Sequence, residues 1–313
     1  MAEAILARRT VLRAGAALAA TGAAPSVVLA QTAAKPKFEF GVRDIVYRVI
    51  DGKPRKARVY QPEGDGPFPL VLFIHGGAWV DKDRTDDQNA LIDFANDGVA
   101  VVAIEFRSGN EAPYPASLAD INYGIRWLKA HAGEFGSAAN RVGIYGTSSG
   151  GHQVLLSAMR PDDPRYAAQK LDEAPDMDAK LAFVVSGWGV LYPLVRTNIG
   201  REKGIQSVVK AATTFFHDDD TMNEATPALI LERGEKAFLP PAFVFQGTAD
   251  QWTTPELAER LQKDWRDKGG EMELLLIEGA KHTFVTEHPF EKGSIKAMKA
   301  ATAFIKKHGG GAA

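Results

Sequence analysis

The chain has 313 residues, of which 45% are hydrophobic and 24% are charged, which is the balance of a soluble globular protein with a substantial core. Its 37 basic and 39 acidic residues give a net charge of −2. Because no basic excess is available to neutralise phosphates, this charge argues against nucleic acid as a partner. The chain contains no cysteine, which excludes disulfides, thiolate metal sites and a cysteine nucleophile.

The first thirty residues have the pattern of an export signal. Arg8 and Arg9 precede a weakly apolar, alanine- and glycine-rich run that ends near Ala30, an arrangement that resembles the twin-arginine signal. The run lacks the roughly 20 strongly apolar residues of a spanning helix, so stable membrane insertion is not expected. This pattern predicts a signal over residues 1–30 and a single mature domain over residues 31–313, located in the periplasm or secreted. A cytoplasmic protein with an amino-terminal tail is the alternative.

From residue 38 onward, apolar runs alternate with helical patterns. An alternating pattern on both sides of the Asp51-Gly52 turn signal predicts an antiparallel hairpin from Phe38–Val49 to Lys56–Tyr60. Almost continuous apolar runs, as in strands buried on both faces of a parallel sheet, follow it. These runs are Leu70–Ile74, Val99–Ile104, Val142–Tyr145, Leu181–Val185, Ala242–Phe245 and Glu273–Ile277.

Amphipathic helices are predicted between and after these strands. They cover Asn89–Asn96, Ser117–Ala132, Gly150–Met159, Pro255–Lys268 and Phe290–Lys307. An antiparallel start followed by strand–helix alternation predicts an α/β fold, with a mostly parallel central sheet, an antiparallel amino-terminal hairpin and helices on both faces. Residues 189–239 depart from the alternation, since they contain two short helical patterns and no clear strand. They predict a short lid or excursion over the carboxyl edge of the sheet.

The strongest chemical signal is Gly146–Gly150, with the sequence GTSSG, between a predicted strand and a predicted helix. This context is typical of a nucleophile elbow. The central Ser148 of such a turn adopts a strained backbone conformation that presents its hydroxyl. Side chains two positions before and after it would crowd the neighbouring strand and helix, and both positions are glycine. Ser148 is therefore the candidate nucleophile.

A second signal is His75–Trp79, with the sequence HGGAW, directly after the predicted strand Leu70–Ile74. Glycines let the backbone approach closely enough to direct two N–H groups at one oxygen. Such donors stabilise the charge that develops on the carbonyl oxygen during acyl transfer, by about 3–4 kcal/mol each. A simple glycine-rich turn is the alternative, but next to an elbow the pattern predicts an oxyanion hole.

A nucleophilic serine requires a base and a carboxylate that orients the base. His282 follows the last predicted strand and Asp250 follows the strand before it, so both are expected on neighbouring loops at the carboxyl edge of the sheet. The chain order Ser, Asp, His is the one expected for such a site. These three residues are the predicted catalytic triad.

Three other histidines have interpretations that do not involve the triad. His75 is expected to brace the oxyanion loop, and His152 to pack against the sheet. His217 with Asp218–Asp220 is the competing candidate for a loose metal site. Because consecutive aspartates usually form a solvated acidic turn, no metal is predicted there.

Together these residues resemble the α/β-hydrolase superfamily, and within it the hormone-sensitive-lipase-like esterases and the kynurenine-formamidase-like hydrolases. The matching pieces, spread over roughly residues 40–308, are His75–Trp79, Glu111–Ala116 before a long helix, Gly146–Gly150, Asp250 and His282. The resemblance implies that Ser148 attacks the substrate, His282 transfers the proton and Asp250 holds the imidazole.

The resemblance also implies that the oxyanion donors are the backbone N–H groups of Gly77, Ala78 and Ser149. Ala78 replaces the third glycine of the lipase-type motif and retains its N–H. The segment Glu105–Arg107 lacks the usual tyrosine. The HGGxW form is closer to the formamidase-like and feruloyl-esterase-like branches than to lipases.

These patterns predict a serine carboxylesterase that hydrolyses small to medium acyl or aryl esters through an acyl-enzyme. A small-molecule ester is the predicted partner, no metal or organic cofactor is implied, and a homo-oligomer is left open. Trp79, Trp188 and Tyr192 are candidates for the pocket wall, with simple packing as the equal alternative. An amidase or formamidase on the same scaffold, a peptidase, and a ligand-binding protein without catalysis are the alternative hypotheses. The intact triad argues against the last of these.

Overall fold

A computed structural model describes residues 38–310, and its centre is a sheet of eight strands in the order β1-β2-β4-β3-β5-β6-β7-β8. The strands are β1 (Phe40–Ile50), β2 (Lys53–Pro62), β3 (Leu70–Ile74), β4 (Ala100–Ile104), β5 (Val142–Thr147), β6 (Val184–Gly187), β7 (Ala242–Gly247) and β8 (Met272–Ile277). Strand β2 pairs antiparallel with β1 and with β4, whereas the other neighbours pair in parallel. The predicted mixed sheet with an antiparallel start is confirmed.

Helices cover both faces of this sheet. They are α1 (Gln88–Asn96), α2 (Ala116–Ala130), α3 (Ser149–Met159), α4 (Pro193–Glu202), α5 (Gln206–Phe216), α6 (Asp219–Glu224), α7 (Pro227–Glu232), α8 (Pro255–Asp267), α9 (Phe284–Glu287) and α10 (Lys292–Gly309). Alternate side chains of β3 enter two different cores: Leu72 belongs to the core that includes residues of α2, α3 and α8, and Phe73 to the core that includes residues of α1 and α10. This alternation follows from the two-residue period of a strand.

The excursion over residues 189–239 contains the four helices α4 to α7 and no strand. The sequence predicted the absence of a strand correctly, but it indicated two short helical patterns instead of four helices. Helices α6 and α7 have six residues each, which is too short for a 3.6-residue hydrophobic period to be recognised. The predicted export signal lies outside the described residues. Within residues 38–310, no helix combines the length and the apolar character that crossing a bilayer requires.

The sheet gathers the predicted site residues at one edge. The HGGAW segment follows β3, the elbow follows β5, and the loops that carry Asp250 and His282 follow β7 and β8. Since all four strands run parallel to one another, their carboxyl ends meet on the same side of the sheet. Residues far apart in the sequence are thereby brought together.

Candidate active site

The backbone at Ser148 has the strained geometry of an elbow. Its φ of 52° and ψ of −121° lie outside the regions that residues with a side chain ordinarily occupy. A Cβ atom added to Gly146 would lie 2.6 Å from the carbonyl carbon of Gly150, and one added to Gly150 would lie 2.2 Å from the carbonyl oxygen of Ile74. The crowding predicted at both glycines is present, and it is what allows β5 to turn directly into α3.

The side chains of Ser148, His282 and Asp250 form a continuous hydrogen-bonded chain. Ser148 Oγ lies 2.8 Å from His282 Nε2, and His282 Nδ1 lies 2.7 Å from Asp250 Oδ2. The imidazole is 17% exposed, whereas the Asp250 side chain is fully buried. The imidazole is therefore within reach of both the serine hydroxyl and the solvent, while the carboxylate is shielded from water.

Asp250 is held by more donors than the sequence indicated. Its Oδ2 also accepts a hydrogen bond of 2.5 Å from Gln246 Nε2, and its Oδ1 accepts from the backbone N–H groups of Trp252 at 2.8 Å and Thr253 at 3.4 Å. A buried carboxylate requires such partners. Gln246 was missed by sequence reasoning, although a polar residue at the end of the apolar strand β7 was a signal for it.

The HGGAW segment, which is the candidate oxyanion loop, lies directly against the elbow. Gly77, Ala78 and Trp79 have successive positive φ angles of 95°, 51° and 67°. The Trp79 N–H donates to Ser149 Oγ at 3.0 Å, and a Cβ added to Gly76 would lie 3.1 Å from the Cβ of Ser148. The hydroxyl of Ser149 thus fixes the loop, a role that the sequence did not predict.

The three predicted oxyanion donors are free to bind an oxygen. Within residues 38–310, the N–H groups of Gly77 and Ala78 donate to no backbone carbonyl. Ser149 is the first residue of α3, so its N–H has no acceptor within the helix. All three groups belong to segments that contact Ser148, which is the arrangement that an oxyanion hole requires.

Asp87 joins the elbow to the loop of the base. Its carboxylate accepts hydrogen bonds from the hydroxyls of Thr147 at 2.6 Å and Thr286 at 2.5 Å. Thr147 directly precedes Ser148, and Thr286 lies on α9, just after His282. Asp87 is 9% exposed. Its carboxylate connects the segments that carry Ser148 and His282, and no sequence motif pointed to it.

His75 braces the oxyanion loop in the way the sequence predicted. Its Nδ1 lies 2.9 Å from the carbonyl oxygen of Gly76, and its ring stacks on Phe106 with 4.4 Å between the ring centres. Burial lowers the pKa of His75, so the neutral form is favoured. Phe106 occupies the segment that lacks the usual tyrosine, and it supports His75 with an apolar face.

His152 links the oxyanion loop to the excursion, which is more than the sheet packing that the sequence predicted. Its Nδ1 accepts a hydrogen bond of 3.3 Å from Trp79 Nε1, and its Nε2 donates to the carbonyl oxygen of Ala225 at 2.7 Å. Burial lowers the pKa of His152 to about 4. A neutral imidazole can accept at one nitrogen and donate at the other, so this protonation state fits both contacts.

The acidic segment Asp218–Asp220, which the sequence predicted as a solvated turn, instead caps and begins helix α6, with Asp218 and Asp220 exposed. Asp218 caps α6 by accepting from the Thr221 N–H at 2.7 Å, and Asp219 pairs with Arg201. Elsewhere in residues 38–310, carboxylate and imidazole atoms approach one another at the exposed group Glu271, Glu273 and His308. There the Lys307 ammonium lies 3.1 and 3.3 Å from the two carboxylates. A cation of the chain itself already pairs with both carboxylates.

The predicted pocket residues are all buried. Trp188 is 1% exposed and packs against Phe245 and Phe284, in the core under α1 and α10. It is therefore a core residue, which corrects its assignment to the pocket wall. Trp79 is 2% exposed and Tyr192 4% exposed. Trp79 retains a connection to the site through its hydrogen bond to Ser149.

Comparisons with protein-family models and with curated proteins identify a family and several relatives of the chain. The family model described as BD-FAE matches residues 58–265. The chain is 27% identical over 226 residues to esterase LipC of Mycobacterium tuberculosis, covering 70% of this chain and 53% of that protein. It is 22% identical over 269 residues to the probable isoprenylcysteine alpha-carbonyl methylesterase ICMEL1 of Arabidopsis thaliana, covering 82% and 54%. The chain therefore spans about half the length of these two relatives.

Solved structures with the same fold include those of Thermogutta terrifontis esterase 2. Its apo form superposes with a TM-score of 0.68 at 22% identity and covers 91% of this chain and 100% of that chain. The form phosphonylated by sarin gives a TM-score of 0.68 at 21% identity and covers 91% and 100%. At this level of identity the likeness shows the fold alone. Because the BD-FAE model matches more than half of the sequence, the chain belongs to the BD-FAE family of α/β-hydrolases.

Proposed function

We propose that this protein is a serine carboxylesterase that hydrolyses small to medium acyl or aryl esters. The observation that carries the proposal is the continuous chain of hydrogen bonds from Ser148 through His282 to Asp250. A serine hydroxyl is a weak nucleophile unless an adjacent base removes its proton, and a base is effective when a third group orients it. Both conditions are met at the carboxyl edge of the sheet.

In the proposed reaction, Ser148 Oγ forms a bond to the ester carbonyl carbon while His282 Nε2 accepts the hydroxyl proton. The negative charge moves to the carbonyl oxygen, where the three candidate N–H donors stabilise it. Collapse of this intermediate breaks the ester C–O bond, and the alcohol leaves with the proton from His282. Water then attacks the acyl-enzyme by the same route, which releases the acid and restores Ser148. Asp250 orients Nδ1–H and stabilises the imidazolium.

The relatives support this proposal in two ways. Several curated relatives have names that state an esterase activity. Thermogutta terrifontis esterase 2, which shares the fold, has been solved phosphonylated by sarin and phosphorylated by paraoxon. Organophosphates of this kind react with an activated nucleophile, and here the activated nucleophile would be Ser148.

The packing around Trp79 supports a limited substrate size. The side chains of Phe215 and Phe216 are fully buried and lie 6.0 and 5.0 Å from the Trp79 ring, centre to centre. These rings pack helix α5 directly against the HGGAW segment, whose Trp79 binds Ser149. Because side chains already occupy the space beside this segment, we propose short acyl groups and aryl esters as the preferred substrates.

We further propose that the protein is exported. The support is the pair Arg8 and Arg9 before the apolar run that ends near Ala30. Fractionation of cells that express the full chain provides the test. Replacement of both arginines by lysine should retain the protein in the cytoplasm.

The proposed activity is tested with a panel of 4-nitrophenyl esters and matched anilides, using the wild type and Ser148→Ala. Removal of a serine nucleophile typically lowers kcat by about 10⁴-fold or more, and the exposed Ser207→Ala serves as the matched control. Hydrolysis by Ser148→Ala at the wild-type rate would overturn the mechanism. Faster turnover of the anilides than of the esters would keep the mechanism and select the amidase alternative.

A further inference from the structure

A buried arginine lies between the two loops that flank the proposed catalytic triad. Arg196 is on α4, and its Cζ lies 5.5 Å from the ring centre of Trp79 and 5.3 Å from that of Trp252. Trp79 belongs to the oxyanion loop and is bound to Ser149, whereas the backbone of Trp252 donates to Asp250. The guanidinium is thus held by one aromatic side chain from each side of the site.

This guanidinium has no partner of opposite charge among residues 38–310. Arg196 is 8% exposed, and its Nε and Nη1 are buried without a hydrogen-bond acceptor. Asp250 is the carboxylate whose charge acts on it, but that carboxylate already accepts hydrogen bonds from His282, Gln246 and Trp252. Burial lowers the pKa of Arg196 to about 10, so the group still carries a full charge at neutral pH.

Two other arginines with buried or half-buried side chains find hydrogen-bond acceptors within the protein, a carboxylate for Arg107 and neutral oxygens for Arg126. Arg107 binds Asp120 through Nε and Nη2, each at 2.9 Å. Arg126 donates to the side chain of Asn122 at 2.9 Å. An unpaired buried cation is costly, because water is removed and no anion replaces it. Arg196 therefore has the properties expected of a residue that meets its partner in a bound ligand.

The chemistry of the partner follows from the guanidinium. Its planar set of donors matches a carboxylate, which it can bind through two parallel hydrogen bonds. The flanking indole rings exclude water and so strengthen the attraction. We propose that Arg196 is a specificity-determining residue that binds a carboxylate carried by the ester substrate, so that the enzyme prefers anionic esters. This inference rests on the esterase activity proposed above.

The carboxylate could belong to the acyl part or to the alcohol part of the substrate, and matched pairs distinguish the two. Ethyl hydrogen succinate and its neutral isostere ethyl succinamate differ in the acyl part. The pair 4-acetoxybenzoate and 4-acetoxybenzamide differs in the alcohol part. The quantity compared is the ratio of kcat/KM for the anionic ester to kcat/KM for its neutral isostere. We expect this ratio to exceed one for wild type in at least one pair, and to fall as salt is added.

Arg196→Met keeps the length of the side chain and removes the charge. We expect it to lower kcat/KM for the preferred anionic ester by about 10- to 100-fold, the loss typical of a charge-assisted hydrogen bond, with little change for the neutral isostere. Arg196→Lys should restore part of the ratio. Arg201→Met, on the same helix but exposed and paired with Asp219, is the control and should leave the ratio unchanged.

Two results would overturn the inference. The first is that Arg196→Met leaves the ratio unchanged; if the rates of both esters fall equally, Arg196 has a purely structural role between the two tryptophans. If circular dichroism shows that Arg196→Met does not fold, the ratios of the wild type decide. Ratios at or below one in both substrate pairs would refute the proposal. The esterase proposal fails on a different result, namely that Ser148→Ala hydrolyses neutral esters at the wild-type rate.

Discussion

The carboxyl edge of the sheet and the excursion over residues 189–239 are stabilised by different interactions. At the sheet edge, neighbouring segments exchange buried hydrogen bonds, as between the Trp79 N–H and the Ser149 hydroxyl at 3.0 Å and between the Thr147 hydroxyl and the Asp87 carboxylate at 2.6 Å. The excursion packs apolar residues inward, but its outer contacts are ion pairs. Arg201 pairs with Asp219, and both side chains are more than a third exposed.

This difference indicates which substitutions each region tolerates. Buried hydrogen bonds and close backbone contacts cannot be replaced by solvent, so a change at the sheet edge leaves an unpaired group or a steric clash. An exposed ion pair is screened by water and contributes little. Changes at the sheet edge should therefore reduce activity or stability strongly, whereas changes on the outer face of the excursion should have small effects.

The largest expected effect is on catalysis, at Asp250. Asp250→Asn preserves the size of the side chain but removes the charged acceptor of His282 Nδ1–H. The imidazole is then no longer held in the required tautomer, and kcat for 4-nitrophenyl butyrate should fall by about 10³- to 10⁴-fold. The exposed Asp267→Asn on α8 is the control and should match wild type. A fall in kcat of less than tenfold for Asp250→Asn would exclude this role for the carboxylate.

Gly150→Ala tests the steric requirement at the elbow. The added Cβ would lie 2.2 Å from the carbonyl oxygen of Ile74 and 2.5 Å from that of His75, and backbone atoms cannot move aside cheaply. We expect a loss of about 3 kcal/mol in the free energy of unfolding, which lowers Tm by roughly 6–10 °C in calorimetry. Gly133→Ala, where no atom lies within 4 Å of the new Cβ, is the matched control. Equal Tm values for the two variants would contradict the account.

The link between the two regions should respond to pH through His152. Its pKa is lowered by burial from the ordinary 6.5 to about 4, so the unfolded chain binds a proton at a pH where the folded protein does not. The contribution of neutral His152 to the free energy of unfolding is complete above pH 6.5 and is lost as the pH falls toward 4. Between pH 7 and pH 5, wild type should lose about 2 kcal/mol more than His152→Gln. Parallel pH dependences of urea unfolding for the two proteins would refute this.

A smaller effect is expected at Asp87. Asp87→Asn retains one acceptor oxygen but cannot accept from both Thr147 and Thr286. One buried hydroxyl loses its partner, which should cost about 1 kcal/mol of unfolding free energy. Because these two hydroxyls position the elbow and the loop of the base, kcat should fall with KM almost unchanged. The exposed Asp65→Asn is the control, and a change in KM alone would contradict the positioning role.

The smallest effect is expected at the outer face of the excursion. Asp219→Asn removes the charge that pairs with Arg201, whose side chain is 39% exposed. The free energy of unfolding should change by less than about 0.5 kcal/mol, and kcat/KM should remain at the wild-type value. Urea unfolding provides the measurement. A loss as large as that of Gly150→Ala would remove the distinction between the two regions.

The sequence predicted the sheet edge well because its signals are local. An apolar strand followed by Gly146–Gly150 or by His75–Trp79 specifies both the turn and the direction in which it leaves the sheet. Since the carboxyl ends of parallel strands gather at one edge, the loops of Asp250 and His282 could be placed beside Ser148 from the sequence alone. Their catalytic roles stay predictions that the experiments above test.

Other contacts depend on packing between distant segments and leave no trace in the sequence. Thr147 and Thr286 lie 60 and 199 positions from Asp87, and no motif connects them. The burial of Arg196 could not be inferred from the polar helix α4. Trp188 follows β6 with a φ of 36°, which turns its ring into the core. An aromatic residue at a strand end gives no indication of which face it joins.

The most direct test of the central claim is the site at which a fluorophosphonate probe attaches to the protein. Intact mass should show one adduct per chain, and peptide mapping should place it on Ser148, with loss of esterase activity in proportion to labelling. Ser148→Ala should remain unlabelled. Labelling of that variant, or an adduct on any other residue of the active wild type, would contradict the proposed mechanism.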